Sequence, residues 1–417
     1  MPGSVRNLDL FRDGSLGHTF RSVTDPAAPA LAGLDPAAVA DFLAAKAPEL
    51  GARPPLTAEL IAGGLSNLTY ELRDADGRAW VLRRPPLGHV LPTAHDMRRE
   101  FRVISALAGT VPVARAYVLC EDPDVIGAPF YVMEKVQGVV LRTRAQCAAL
   151  SVAQRRSAAE SLVDVLAALH AVDPAAVGLA DFGRPEGYLH RQLDRWDRQY
   201  AASQSREIRG LFELGDGLRA AVPVTQRSTI LHGDYRLDNV MVRLSGGTDD
   251  ADAGVGSNAD SAGVGINADG AAAGSSAGTA DTADTADTAE VRVAAVFDWE
   301  MSTLGDPLAD LGLLLTYWED PGHPPKGILT ASGGGLTNHE GFLNSRDLVE
   351  RYQAATGLIV DDLDWYIAFS HYKLAVILEG IHYRHEHGLT LGEGFEKAGT
   401  AVPSLVEAGR RYLDRTR

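Results

Sequence analysis

The sequence predicts an α+β chain of two lobes, a small antiparallel sheet with one long helix followed by a larger, mostly helical part. Three observations carry this expectation. Short alternating apolar runs crowd residues 60–136, and two of them, "LTYELR" and "WVLRR", flank "DADG" (Asp74 to Gly77), a sequence suited to a tight hairpin turn. Among these runs, "PTAHDMRREFRVISALAG" (Pro92 to Gly109) has the three- and four-residue apolar spacing of a helix. From about Gln146 onward, helical patterns dominate.

In chain order, residues 1–34 are rich in Pro, Ala and Gly and read as a partly ordered lead-in. Asp35 followed by Pro36 suits a helix N-cap with Pro at the first helical position, opening "AAVADFLAAKA". The strand runs then begin near Leu60, and "RAYVLCED" and "PFYVMEKV" add two more after the long helix. "MEKVQG" (Met133 to Gly138) reads as a hinge, dividing an N-lobe at 35–135 from a C-lobe at 136–417. With 417 residues and 45% apolar composition, the chain can fill two sizeable cores. Cys120 and Cys147 are too few for a disulfide framework, no charged segment precedes an apolar one at the N-terminus, and no run is apolar enough to cross a bilayer. The expectation is a reducing, cytoplasmic setting.

A net charge of −16 argues against a nucleic-acid partner, which would require clustered Lys and Arg. More than half of that charge lies between Ser245 and Glu290, which hold nine acidic residues and no Lys or Arg. Within this stretch "AGVGSNAD" recurs nine residues later as "AGVGINAD". Two copies with Ala at the position to be buried are too few to stack as a calcium-binding roll. Composition predicts a disordered insertion at 245–290. The flanking runs "NVMVRL" (Asn239 to Leu244) and "VRVAAVFDW" (Val291 to Trp299) read as two strands of a hairpin, with the insertion as its turn.

The residues with chemistry to offer sit at the other end of that hairpin. In "HGDYRLDN" (His232 to Asn239), the Asp234 carboxylate, the Arg236 cation and the Asn239 amide can converge if the segment is a loop. Phosphoryl transfer needs such a set: a carboxylate to take a hydroxyl proton, a cation near the moving phosphate, and oxygen ligands for Mg²⁺. "AAVFDWE" places Asp298 at the end of an apolar strand, where a second hard oxygen ligand belongs. Upstream, "IAGGLSNLTYEL" has Gly63, Gly64, Ser66 and Asn67 between two strands, suited to presenting N–H groups and small polar side chains to ATP phosphates. Strand alternation puts Val81 and Arg83 on one face. On the helix, Glu100 falls in the apolar stripe with Met97, Phe101, Ile104 and Leu107, so it requires a cation, and Arg83 is the natural one.

Together, "GGLSN", "VLRRPP", "AHDMRREFRVI", "HGDYRLDNVMV" and "DWEMSTLGDPLADLG" resemble the aminoglycoside phosphotransferase-like kinases. Within that family they are most similar to the kinase-like domain fused to some acyl-CoA dehydrogenases and to its free-standing bacterial relatives. The resemblance implies a protein-kinase-like fold, ATP and Mg²⁺ as cofactors, and a small-molecule acceptor. It also implies Asp234 as general base, Arg236 beside it, and Asn239 and Asp298 on the metal. Val81, Arg83 and Glu100 would serve the nucleotide, and the main chain at Glu134 and Val136 would read the adenine edge. Arg83 stands where these kinases usually carry Lys, and Gly233 where regulated protein kinases carry Arg. The resemblance further implies that Asp310 anchors the catalytic loop, while Asp306 caps the following helix.

For the acceptor, the aromatic and cationic residues of "WDRQY" (Trp196 to Tyr200) and of 365–388 offer Tyr372, Lys373, His382 and Arg384 to an anionic or acyl-CoA-like compound. The resemblance thus suggests a hydroxyacyl or hydroxyacyl-CoA acceptor and a functional link to acyl-CoA enzymes. The alternatives are an antibiotic kinase, whose cationic acceptors call for an acidic pocket, and a nucleotide-binding module without catalysis.

Overall fold

The computed structural model describes residues 33–62, 67–87, 96–245, 290–324, 334–388 and 398–416. Gly63, Gly64, Ser66, most of the lead-in and positions 246–289 of the insertion lie outside them.

Helix α1 (Pro36–Lys46) starts as its sequence dictates, with Asp35 Oδ1 accepting from the Ala37 amide at 2.9 Å. Strands β1 (Thr57–Ala62), β2 (Leu68–Arg73) and β3 (Ala79–Arg84) follow, the last two joined through the Asp74–Gly77 turn. Helix α2 (Met97–Leu107) is capped by the Asp96 carboxylate on the Arg99 amide at 3.1 Å. It therefore begins at Met97, later than the helical pattern read from Pro92; residues 92–95 lie outside the described residues. Strands β4 (Ala116–Cys120) and β5 (Phe130–Glu134) complete a five-stranded antiparallel sheet in the order β1-β2-β3-β5-β4.

The period-two alternation of β3 separates two cores. Trp80 and Leu82 join Leu72, Phe130, Val39 and Leu43 on the α1 face. Val81 faces the other way, with Tyr131, Met133 and, from α2, Met97 and Ile104, in a core that continues into the helical part. Arg83 shares the Val81 face, so its guanidinium is delivered to α2 and the cleft beyond.

The helical part comprises α3 (Arg144–Ala149), α4 (Val152–Ala171), α5 (Tyr188–Ser203), α6 (Leu211–Ala220), α7 (Leu308–Tyr317), α8 (Ser345–Thr356), α9 (Leu363–Glu386) and α10 (Ala398–Leu413). Helix α9 is at its centre, packed on α5, α7 and α10 and buried around most of its circumference from Leu363 to Val376. Two small antiparallel pairs are set among the helices: β6 (Thr229–Leu231) with β9 (Thr303–Gly305), and β7 (Val240–Leu244) with β8 (Val291–Val296). The predicted β7–β8 hairpin is present, with Val240 opposite Val296 and Leu244 opposite Val291, and its second strand stops at Val296, short of the expected Trp299. Cys120 and Cys147 are buried free thiols. No helix among the described residues is long and apolar enough to cross a membrane.

Candidate active site

The loop between β6 and β7 is fixed from beneath. Asp310, in the first turn of α7, accepts the amide protons of His232 (2.7 Å) and Gly233 (2.9 Å), and His170 Nε2 approaches it at 3.4 Å. Burial acts to raise the Asp310 pKa, but the hydrogen bond and charge of His170, the charge of His232 and the hydrogen bond from the Gly233 amide hold it below the usual carboxylate value. The His232 ring meets the Phe297 carbonyl at 2.7 Å and its Nδ1 accepts from the Asp234 amide at 3.1 Å, tying the loop to the end of β8. Gly233 has a physical reason to be glycine: φ is +86°, and a Cβ there would stand 2.5 Å from the Met301 carbonyl oxygen. Asp306 is structural, accepting from the Leu308 amide at 3.0 Å and from the Tyr366 hydroxyl at 2.8 Å.

On this frame the three polar residues of the loop converge. Asn239 Nδ2 donates to the Asp234 carbonyl (2.8 Å) and carboxylate (2.9 Å), which leaves Asn239 Oδ1 as the atom able to ligate a cation. Arg236 lies between Asp234 (3.3 Å) and Asp238 (3.0 Å), with its guanidinium 4.9 Å from the centre of the Tyr317 ring. Its charge is thus shared between the Asp234 and Asp238 carboxylates.

Asp298 follows β8 with φ 68° and ψ 58°, the one non-glycine residue with positive φ among the described residues. Such backbone is uncommon, tolerated best by Asp and Asn, and marks a position held by its surroundings. Arg83 contacts the Asp298 carboxylate at 2.5 Å and Glu100 at 2.9 Å, so one guanidinium bridges strand β3, helix α2 and the end of β8. Glu100 is almost fully buried, and burial raises its pKa against the pull of Arg83. It also accepts from the Tyr131 hydroxyl at 3.0 Å and from Asn67 Nδ2 at 2.8 Å. The expected Arg83–Glu100 pair is present. Asn67, expected beside the nucleotide phosphates, places its side-chain Nδ2 on Glu100, because a buried carboxylate needs more donors than one Arg supplies.

At the hinge, the Glu134 amide donates to the Arg115 carbonyl at 2.8 Å. Main-chain reading of a nucleobase at Glu134 would therefore have to come from its carbonyl, with Val136 two residues on. The residues expected on α9 to meet the acceptor make separate contacts. The Tyr372 hydroxyl is bonded to Asp197, the His382 ring packs at Gly399, and Lys373 alone reaches the catalytic loop, donating to the Gly233 carbonyl at 2.6 Å. These side chains diverge because successive helical positions differ by about 100°.

Glu300, two residues beyond Asp298, was not singled out in the sequence. Oxygen atoms of Glu100, Asp298 and Glu300 lie within 4.8 Å of one another. The available signal was the Asp-x-Glu spacing itself, which a turn after Asp298 brings to one side. Asn239 Oδ1 and the Asp298 and Glu300 carboxylates are hard oxygen donors, a set that fits a divalent cation of the Mg²⁺ type.

The Phosphotransferase enzyme family (APH) matches residues 57–251 and 286–342 of the chain. Acyl-CoA dehydrogenase family member 10 of Mus musculus is 31% identical over 347 residues, covering 82% of this chain and 28% of that protein. Family member 11 of Gallus gallus is 30% identical over 361 residues, covering 85% and 40%. The chain thus spans less than half the length of these relatives. A solved structure from Ralstonia eutropha JMP134, assigned to the aminoglycoside phosphotransferases, is 31% identical and covers 91% of this chain and 98% of its own, with a TM-score of 0.68. The chain belongs to the APH phosphotransferase family, and it is a phosphotransferase with the two-lobed, protein-kinase-like α+β fold.

Proposed function

We propose that this phosphotransferase is an ATP- and Mg²⁺-dependent kinase that phosphorylates the hydroxyl of a small acceptor, a hydroxylated acyl compound as the free acid or its CoA thioester. The observation that carries the reading is the convergence of Asp234, Asn239 and Asp298 at one end of the β7–β8 hairpin, with Arg83 delivered from the sheet. Residues 35–135 would supply the nucleotide lobe and 136–417 the catalytic loop and acceptor site. Bound Mg²⁺ would neutralise charge on the transferred phosphoryl group, held by Asn239 Oδ1 and Asp298 with Glu300 alongside. Asp234 accepts the proton of the acceptor hydroxyl as its oxygen attacks the γ-phosphorus and ADP departs. Asn239 and Arg236 keep the Asp234 carboxylate oriented for this transfer. Arg83 would exchange part of its contact with Asp298 for phosphate oxygens while retaining Glu100. The relatives named as acyl-CoA dehydrogenases support an acceptor from acyl metabolism and a link to enzymes acting on acyl-CoA.

Measuring ADP release with hydroxy acids, hydroxyacyl-CoAs, sugars and aminoglycosides tests the reading. An acyl acceptor should stimulate release, and Asp234→Asn should lower its turnover by about 10²-fold or more while nucleotide affinity changes little. Stimulation by aminoglycosides alone, or undiminished turnover in the variant, would contradict it.

A further inference from the structure

Between α5, α7 and α9 lies a cavity of about 220 Å³, reached by Gly233 of the catalytic loop and by Glu300 to Thr303. Lys373 lines it, yet is only 8% exposed. Its Nζ donates to the Gly233 carbonyl, and no carboxylate among the described residues is within ion-pair distance of it. An ammonium carries three donors, so two remain beyond the Gly233 bond, with the centre of the Trp196 ring 5.8 Å from Nζ on one side and the cavity on another. Burial lowers the Lys373 pKa, opposed by the charges of Asp234 and Asp310. A buried cation without a paired anion is costly, which makes it a place where an anion is welcome.

The other charges on the cavity sharpen the point. Three of its four carboxylates are committed: Asp96 caps α2, Glu100 pairs with Arg83, and Asp310 holds the loop amides. The fourth, Glu300, stands with Asp298 on the cation side. Among the cations, Arg99 donates to the carbonyls of Phe182 and Ser302, whereas Arg195 lies over the Trp196 ring at 5.1 Å from its centre. The α5–α9 wall is therefore cationic where Lys373 and Arg195 meet the cavity.

We infer that this cavity receives an anionic group of the acceptor, the carboxylate of a small hydroxy acid, with Lys373 as its principal ligand and Arg195 at the rim. The inference rests on the kinase reading, because Gly233 is the residue before Asp234 and an acid held by Lys373 would extend its hydroxyl along the loop toward that carboxylate. It selects the free acid over the thioester.

The test is calorimetric binding of ω-hydroxy carboxylates of three to six carbons and their primary amides, with and without Mg²⁺ and a non-hydrolysable ATP analogue. The best acid should bind at least about tenfold tighter than its amide, since only the acid answers the buried charge. Lys373→Met should abolish that preference, and Arg195→Met, at an exposed position, should reduce it by a few-fold. Equal binding of acid and amide to the unaltered protein, binding of neither, or a preference surviving in Lys373→Met would overturn the inference. So would tight binding of the matching CoA thioester that collapses in Lys373→Met, which would assign the anion to a carrier phosphate. The acid-to-amide comparison on the unaltered protein needs neither a folded variant nor bound nucleotide. Failure to bind Mg²⁺ and the ATP analogue would count against the kinase reading alone.

Discussion

The two ends of the β7–β8 hairpin are made to opposite specifications. At the cleft end, the Phe297 amide donates to the Asn239 carbonyl at 2.9 Å, the Val296 amide to Pro112 at 2.8 Å, and the His232 ring meets the Phe297 carbonyl. Arg83 then clamps Asp298, so four separate segments fix a few residues. At the far end, the Ser245 amide and hydroxyl both meet the Glu290 carbonyl, at 2.7 and 3.0 Å, and the acidic insertion departs from that junction. One pair of strands thus carries a positionally exacting site at one end and a 46-residue detour at the other. The separation is what makes this possible: length is tolerated where only two chain ends must meet, and not where ligand atoms must converge.

The largest stability effect should come from breaking the cleft end at its foundation. Asp310→Ala removes the acceptor for one buried and one part-buried amide and a buried partner of His170, and should cost about 3–5 kcal/mol in urea unfolding. A loss under about 1 kcal/mol would mean that the loop is held by other means. The pH dependence has a definite sign. Because the folded-state pKa of Asp310 is depressed, its contribution is present above the unfolded-state pKa and is lost as pH falls through the lower folded value. Asp310→Asn should therefore lose less stability on acidification than the unaltered protein, and identical acid-side losses would remove Asp310 from the account.

A smaller effect is expected at Arg83. Arg83→Met leaves Glu100 buried without its cation and removes the bridge to Asp298, so activity should fall by about tenfold or more and stability by a few kcal/mol. Arg83→Lys keeps the charge but cannot span both carboxylates with a planar fork, and should retain more activity. Steady-state kinetics of the two variants decides; equal losses would mean that the guanidinium geometry is indispensable.

The smallest effect is predicted at the far end. Replacing 246–289 with an Asn-Gly turn should leave the catalytic rate and nucleotide affinity within about two-fold, and raise stability by at most about 2 kcal/mol, the difference in closure entropy between a long and a short loop. Activity lost in that deletion with the fold intact would show that the two ends are not independent.

The legible parts of the molecule were those where local periodicity meets charge. Alternation along β3 put Arg83 beside Val81, helical spacing put Glu100 in an apolar stripe, and a buried carboxylate requires a cation, so their pairing was foreseeable. The spacing from Asp234 to Asn239 likewise suggested a converging loop. Contacts set by tertiary closure were not legible in this way. Asp298 is 215 residues from Arg83, and its role as the second arm of that guanidinium depends on how the helical part meets the sheet. The neighbours of Asn67 in sequence suggest a phosphate loop, while the demand its side-chain nitrogen meets comes from Glu100, 33 residues away. On α9, burial around most of the helix erases the amphipathic pattern, so sequence could not tell Lys373 from Tyr372, His382 or Arg384 as the residue that reaches the cleft.

If the cleft end of the hairpin is the metal end, Asp298 must bind the cation that nucleotide binding depends on. The most direct test is the nucleotide affinity of the unaltered protein and of Asp298→Ala, titrated with Mg²⁺ by calorimetry. Mg²⁺ should strengthen ATP binding in the unaltered protein, and the variant should lose at least about tenfold of that enhancement, because a hard oxygen ligand is gone. Superimposable magnesium titrations of the two proteins would contradict it.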